Sequence, residues 1–275
     1  MMVWRTLLQE IPSYRDVFLT ITEGYLLNNL LPFRLGEVGR AFLLSRKAGI
    51  GFWQVISSIM IERILDIMMA VSLLLSTLPF VVGATWGMDA AIGTGGIVLL
   101  FLLVLYGLVR YRPWAVARFE HLAVRWPVLL RFGERRLTSF FDGLASLADL
   151  RRFLTVMIWM ILNWVVAIGQ YYLLLSAFSP HPHLLWVVFT VGVVSLGIAA
   201  PSSPGALGVL ELSVVAALSV FGLDASAALA FAATFHILGY LINGILGSYA
   251  LARDGETLGK LYDKIKNLNH ETQNI

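Results

Sequence analysis

The chain has 275 residues, of which 58% are hydrophobic and 13% charged, with a formal net charge of +3 and a mean hydropathy of +0.79. Soluble domains carry roughly 25% charged residues, so this composition excludes a surface that faces water all round. The absence of cysteine excludes disulfides and thiolate metal sites.

The N-terminal stretch MMVWRTLLQEIPSYRD is mixed-polar and lacks the apolar core and small-residue cleavage site of a signal peptide. The segment 17–31 (VFLTITEGYLLNNLL) is short for a crossing and contains Glu23, so it reads as a re-entrant or strongly tilted helix. Directly behind it, NNLLPFRLGE (28–37) places a proline, an arginine and a glutamate at the end of an apolar segment.

Uncharged runs of the ~20 residues needed to cross a bilayer follow at Ile67–Met88, Ala90–Val109, Phe153–Pro180, Leu184–Leu210 and Ala225–Ala252. From a cytoplasmic Arg46-Lys47, the pattern predicts a helix over about 55–82 that leaves the cell and one over about 90–109 that returns. The 110–152 segment carries nine arginines against four acids, interleaved with Leu, Val, Trp and Phe. It reads as cytoplasmic, interfacial and amphipathic, as does the basic tail 253–275 with Lys260, Lys264 and Lys266. Bases beside a membrane follow from topology, so no nucleic-acid partner is expected. A helix over about 152–178 leaves again, which puts SPHPH (179–183) outside.

The stretch 184–222 is then split by Pro201 and Pro204 with Gly205 and Gly208. A proline removes a helix hydrogen bond that neighbours must replace. Re-entrant pair and double crossing give the same parity. The last crossing is 225–252. The expected architecture is one all-α, polytopic membrane domain (1–275) of about six to seven segments. Its first half is about 17–109, and its second half about 153–252.

The two broken segments resemble each other. Glu37 is followed 26 residues later by Arg63 in SSIMIERILDIMM, and Glu211 is followed 25 residues later by His236 in AFAATFHILGYLING. Interrupted segments at matching places in two halves point to a transport site at a repeat interface. An inverted repeat fits this pattern, and so does chance recurrence of two Pro-Gly turns.

A charge at bilayer depth costs about 2.5–3.5 kcal/mol, so such residues pair or line a wet cavity. Glu62 and Asp66 share a helix face, and Arg63 can bridge to Asp66. Two readings stay open: a salt-bridge network that locks helices, or a polar cavity. In the second, Arg34, Arg40 and Arg63 hold an anionic group, with Glu37, Glu62 and Glu211 as counter-charges. A half-helix after Pro204 would add backbone N–H donors. Asn163 and Gln170 are candidates for cavity lining or plain interhelical hydrogen bonds. No HExxH, Walker loop or GxSxG occurs, and HPH at 181–183 lacks the carboxylates of a metal site; no metal or cofactor is expected.

Three motifs in order resemble one family: N-x-x-x-P-x-R-x-G-E (Asn28, Pro32, Arg34, Gly36, Glu37), E-R-x-x-D (Glu62, Arg63, Asp66) and P-x-x-P-G-x-x-G-x-x-E (Pro201 to Glu211, with Pro204, Gly205 and Gly208). They are similar to the flippase-like membrane region of lysylphosphatidylglycerol synthases, over about residues 20–252. That resemblance implies movement of a phospholipid or polyprenyl-linked lipid, one with an anionic head group, between leaflets of the cell (inner) membrane. It implies no enzyme activity: the soluble aminoacyl-transfer domain has no room here, so lysyl transfer is not expected. The alternatives are a membrane transferase or accessory subunit acting on lipid-linked substrates, and a structural membrane protein. Two departures stand out. The first spanning helix that relatives usually carry before the N-x-x-x-P motif is not evident, which reads as a short variant or a truncated gene model. His236 stands where an arginine is expected, which weakens constant anion binding there or makes it pH-dependent.

Overall fold

Helix α1 (Met2–Leu7) is short and ends in a tight turn, with Trp4 fully buried. The computed structural model describes residues 1–83, 149–200 and 202–255, with isolated positions between 89 and 111 and at 259. Among the described residues every regular element is helical. Helix α2 (Tyr14–Leu30) opens where Ser13 Oγ accepts the Asp16 N–H at 3.1 Å, a side-chain cap on an otherwise orphan donor. It stops because Pro32 forces the preceding Leu31 into extended backbone (φ −110°, ψ 141°). Helix α3 (Leu35–Ala48) ends at Gly49 in the left-handed conformation, φ 64°.

Helix α4 (Phe52–Val81), helix α5 (Leu150–Leu175) and, further on, residues Ala225–Arg253 run for 30, 26 and 29 residues. At about 1.5 Å per residue each exceeds a ~30 Å hydrocarbon core. The expected spans at about 55–82, 152–178 and 225–252 are thus continuous helices. The one expected over about 90–109, the basic segment 110–148 and the tail beyond 255 lie outside the described residues. Helix α6 (Leu184–Gly197) is shorter, and a 3₁₀ turn (Pro204–Ala206) separates it from α7 (Val209–Ser219). Ala225–Arg253 is α8, capped by Asp224, whose carboxylate accepts the Ser226 and Ala227 N–H groups at 2.9 and 3.2 Å.

The long helices carry apolar side chains outward as well as inward. Leu154, Ile158, Ile161, Val165 and Leu173 on α5 are exposed, and so are Leu238, Leu241 and Ile245 on α8. Such faces are at home in lipid and not in water. With three spanning-length helices among the described residues, the protein is a multi-pass membrane protein.

Pairing of the elements is reciprocal. Helix α2 runs along α8, and α6 runs along α4, the two most extensive pairings between the halves. Glycines permit both approaches. A Cβ on Gly192 of α6 would meet the Leu74 N and Ala70 O of α4 at 3.1 and 3.3 Å. A Cβ on Gly247 of α8 would meet Leu26 Cβ and Thr22 O of α2 at 2.5 and 2.7 Å. Each broken hairpin therefore lays its first arm on the long helix of the other half.

Candidate functional site

Pro32 ends α2, and the next two residues, Phe33 and Arg34, adopt left-handed backbone with φ of 57° and 55°. Non-glycine residues avoid that region, and held there they cluster at functional sites. The kink sends both residues toward the other half. The Phe33 N–H donates to the Ser202 carbonyl at 3.2 Å, and the Arg34 guanidinium donates to the Ile198 carbonyl at the end of α6. The chain breaks of the two halves touch at this point.

Behind the kink a ladder of charges runs from α3 to α4. Arg40 pairs with Glu37 at 2.6 Å and lies 3.7 Å from Glu62. Arg63 pairs with Glu62 at 2.6 Å and with Asp66 at 3.0 Å. The order reflects helical spacing, since Glu37–Arg40 and Arg63–Asp66 are both three residues apart. Arg40 is 2% exposed and lies over the Trp4 ring, 4.8 Å from its centroid. Trp4 Nε1 in turn donates to Ser58 Oγ at 2.8 Å, so α1 closes the buried end of the ladder. At the other end the Arg63 side chain keeps 32% of its surface exposed.

That open end lines a cavity of about 260 Å³. Arg34, Arg63 and Asp66 form its charged wall, α5 contributes Asn163, Trp164 and Tyr171, and α6 contributes Val191, Ser195 and Ile198. Three arginines (34, 40 and 63) stand against three carboxylates (37, 62 and 66), but the pairing is uneven. Among the described residues Arg34 pairs with no carboxylate, and its partner is a neutral carbonyl. A guanidinium has five donors in a planar fork, so Arg34 retains donors for an anion entering the cavity.

Asn28 and Pro32 shape this site without lining it. Asn28 Oδ1 is buried against Gly36, where a Cβ would stand 2.5 Å away, and Pro32 sets the kink. Glu211 and His236 belong elsewhere. Glu211 Oε2 accepts the Gly208 N–H at 2.7 Å and so caps α7, while Oε1 lies 2.5 Å from His236 Nδ1. His236 Nε2 lies 2.9 Å from the Gly205 carbonyl, so it must carry the hydrogen. Tyr240 Oη donates to the Pro204 carbonyl at 3.2 Å. These residues fasten the 3₁₀ turn to α8 beside a second, largely apolar cavity of about 330 Å³. Gly205 (φ 59°) is required there, because a Cβ would fall inside the Tyr240 phenol.

The structure therefore brings Arg34, Arg40, Arg63, Glu37, Glu62 and Asp66 together, and sets Glu211 and His236 apart around Pro204, Gly205 and Gly208. Of the two polar residues singled out on α5, Asn163 lines the arginine cavity and Gln170 is exposed away from it. Trp164, Tyr171 and the Ile198 carbonyl escaped sequence reading. Trp164 and Tyr171 are seven apart on one helix face, a spacing that looks like any apolar stripe. Among the described residues no group of three His, Asp or Glu side chains is arranged to hold a metal ion.

Residues 1–247 match the family described as the Lysylphosphatidylglycerol synthase TM region. The chain is also similar to the UPF0104 membrane protein MJ1078 of Methanocaldococcus jannaschii, with 25% identity over 226 residues, covering 81% of this chain and 91% of that protein. No solved structure matches. With nearly its whole length matched, the chain belongs to the family of the lysylphosphatidylglycerol synthase transmembrane region.

Proposed function

We propose that the protein is a flippase or scramblase that moves an anionic phospholipid or polyprenyl-linked lipid between leaflets, with its head group passing through the arginine-lined cavity. The observation that carries this reading is Arg34: a cation at the mouth of an otherwise paired ladder, bonded to a backbone carbonyl and facing a cavity of about 260 Å³. A network built only to lock helices would pair every arginine with a carboxylate, because an unpaired charge is costly in an apolar setting. Arg34 and Arg63 offer two planar forks to one phosphate oxygen set, the geometry in which arginine excels.

The reciprocal laying of α2 on α8 and of α6 on α4 supports two re-entrant hairpins in an inverted repeat, with the site where their tips meet. The basic 110–152 segment and the tail set the orientation, with both in the cytoplasm of a cell whose inner membrane holds the chain. The reading is transport and not group transfer: beside two cations the wall presents Asn163, Trp164, Tyr171 and Ser195, and its carboxylate, Asp66, is paired with Arg63 and so is a poor base.

The test is reconstitution of the full chain into vesicles with a fluorescent phosphatidylglycerol on one leaflet. The expected result is leaflet exchange faster than in protein-free vesicles, lowered by Arg34→Gln. Exchange at the protein-free rate for phosphatidylglycerol and for a polyprenyl phosphate alike would overturn it. Formation of a new lipid product from a donor would favour a transferase.

A further inference from the structure

Away from the arginine cavity a second buried charge cluster joins α2, α3 and the end of α8. Lys47 Nζ donates to Glu23 Oε2 at 2.9 Å and to Thr20 Oγ1 at 3.3 Å, and it is also paired with Asp254 Oδ2. The Glu23 side chain is wholly buried, at 0% exposure, while Lys47 and Asp254 keep 17% and 18%. Two carboxylates thus converge on one ammonium. With all three ionised the cluster carries one negative charge in excess, in a setting where an uncompensated ion is costly.

One bound proton removes the excess, and the structure offers it a position. Glu23 Oε1 is buried and has no hydrogen-bond partner among the described residues, and the Asp254 carboxylate shares its ammonium partner, Lys47. A proton taken from water at the partly exposed Asp254 and placed on Oε1 turns the Glu23 carboxylate into a carboxylic acid, which donates to Asp254. No other bond changes. The cluster then holds one ammonium, one carboxylate and one neutral acid.

The surrounding charges agree with this assignment. Arg15 on α2 is a cation that favours the ionised form of Asp254. Arg46 on α3 stacks over Phe42 with its carbon 5.6 Å from the ring centroid, and Arg253 on α8 donates to Tyr249 Oη at 2.8 Å. Burial pushes the Asp254 carboxyl upward, but its neighbour Glu23 and the Lys47 ammonium prevail and hold it below its ordinary value. Of the two carboxylates, the wholly buried Glu23 and not the partly exposed Asp254 is the position for the proton, because burial penalises its charged form more.

We propose that Glu23 and Asp254, bridged by Lys47, form a proton-binding site whose loading sets how firmly the first hairpin is held to α8, and so couples protons to transport through the arginine cavity. The coupling half rests on the flippase reading above; the proton site stands without it. The mechanical link is direct: Glu23 and Lys47 lie on the two arms of the first hairpin, Asp254 ends α8, and α2 meets α8 closely at Gly247.

The experiment reads the two halves separately. Infrared difference spectra of the full chain in detergent, between about pH 6 and 10, which brackets the titration of a buried glutamic acid, report carboxylic acids directly. A carboxylic-acid carbonyl band that grows toward acid, is missing in Glu23→Gln and is shifted in Asp254→Asn supports the site. A native difference spectrum kept whole in both variants overturns it, and two variants guard against one that does not fold. In vesicles, a several-fold pH dependence of lipid exchange that is flattened in Glu23→Gln supports the coupling. Exchange that ignores both pH and the substitution overturns the coupling alone. A titrating band lost in Glu23→Gln, with no exchange by any protein, leaves the site standing and defeats the flippase reading.

Discussion

Arg34 and Ile198, 164 residues apart, are joined by a hydrogen bond from the guanidinium to the backbone carbonyl. Ile198 is the residue at which α6 stops, so its carbonyl is one of the acceptors a helix end leaves without an internal partner. A cation at that end is also favoured by the helix dipole. One residue therefore serves both halves: its backbone opens α3, while its side chain closes α6 and sits in the wall of the cavity between them.

On the proposed flippase reading, removing that side chain should slow leaflet exchange more than it harms the fold. Hydrogen bonds from a charged group are worth about 1.5–3 kcal/mol, and about 1.4 kcal/mol is a tenfold rate. Arg34→Gln is expected to lower vesicle exchange of an anionic lipid by about tenfold or more. Arg34→Lys, which keeps the charge and loses the fork, should fall between. Unfolding in detergent should move much less, and an Arg34→Gln protein exchanging at the native rate would remove Arg34 from the pathway.

Gly36 holds the first hairpin closed. A Cβ there would collide with the Gly24 carbonyl and stand 2.5 Å from Asn28 Oδ1, and backbone cannot step aside as a flexible side chain can. Gly36→Ala should destabilise by about 1–3 kcal/mol, as overpacking does. Gly239 in α8 has nothing within 4 Å of its would-be Cβ, so Gly239→Ala should be neutral or stabilising by up to about 1 kcal/mol, since alanine favours helix. Denaturant midpoints in one detergent compare the two, and equal shifts would contradict the hairpin contact.

Much of this architecture is readable in the sequence because lipid leaves the chain few choices. Long uncharged runs can only be helices, and α4, α5 and α8 fall where those runs lie. Pro32 and the Pro204-Gly205 pair mark the breaks because proline and glycine act through the backbone alone. Helical spacing pairs Arg63 with Asp66, and the cost of charge at bilayer depth groups Arg34, Arg40 and Arg63 with Glu37 and Glu62. What sequence could not show is that Glu211 and His236 stand apart from the arginines. The halves match in pattern, but α5 walls the cavity on one side alone, with Asn163, Trp164 and Tyr171. Lys47 with Asp254 was hidden for a similar reason: its partners come from three elements, and no period links them.

Helix α8 should carry an acid-sensitive start. Asp224 is exposed ahead of the span, and the Ala227 and Ser226 N–H groups donate to its carboxylate and hold its pKa below the ordinary aspartate value. A carboxyl whose folded pKa is depressed contributes stability above its unfolded pKa, and that contribution is lost as pH falls through the folded pKa. The native protein should therefore lose thermal stability on acidification relative to Asp224→Asn, which keeps an acceptor without the charge. Parallel melting curves for the two across the acid range would show that the cap does not titrate.

The Glu211–His236 pair should behave as a clamp whose members are unequal. His236 donates from Nε2 to the Gly205 carbonyl and meets Glu211 Oε1 at Nδ1, so His236→Ala strips a donor from the turn and a partner from the carboxylate at once. Leaving such groups unsatisfied costs about 1–3 kcal/mol. Glu211→Gln is milder by construction. The glutamine oxygen can still accept the Gly208 N–H, while its amide donates to an Nδ1 that is free to accept once Nε2 holds the hydrogen. The cost should stay below about 1 kcal/mol. Glu211→Ala loses both the cap and the histidine contact, so it should approach His236→Ala in size, and the double alanine variant should cost less than the sum of the two. Unfolding measurements on the four proteins decide it: additive losses would mean that Glu211 and His236 act on the turn independently, although they are 2.5 Å apart.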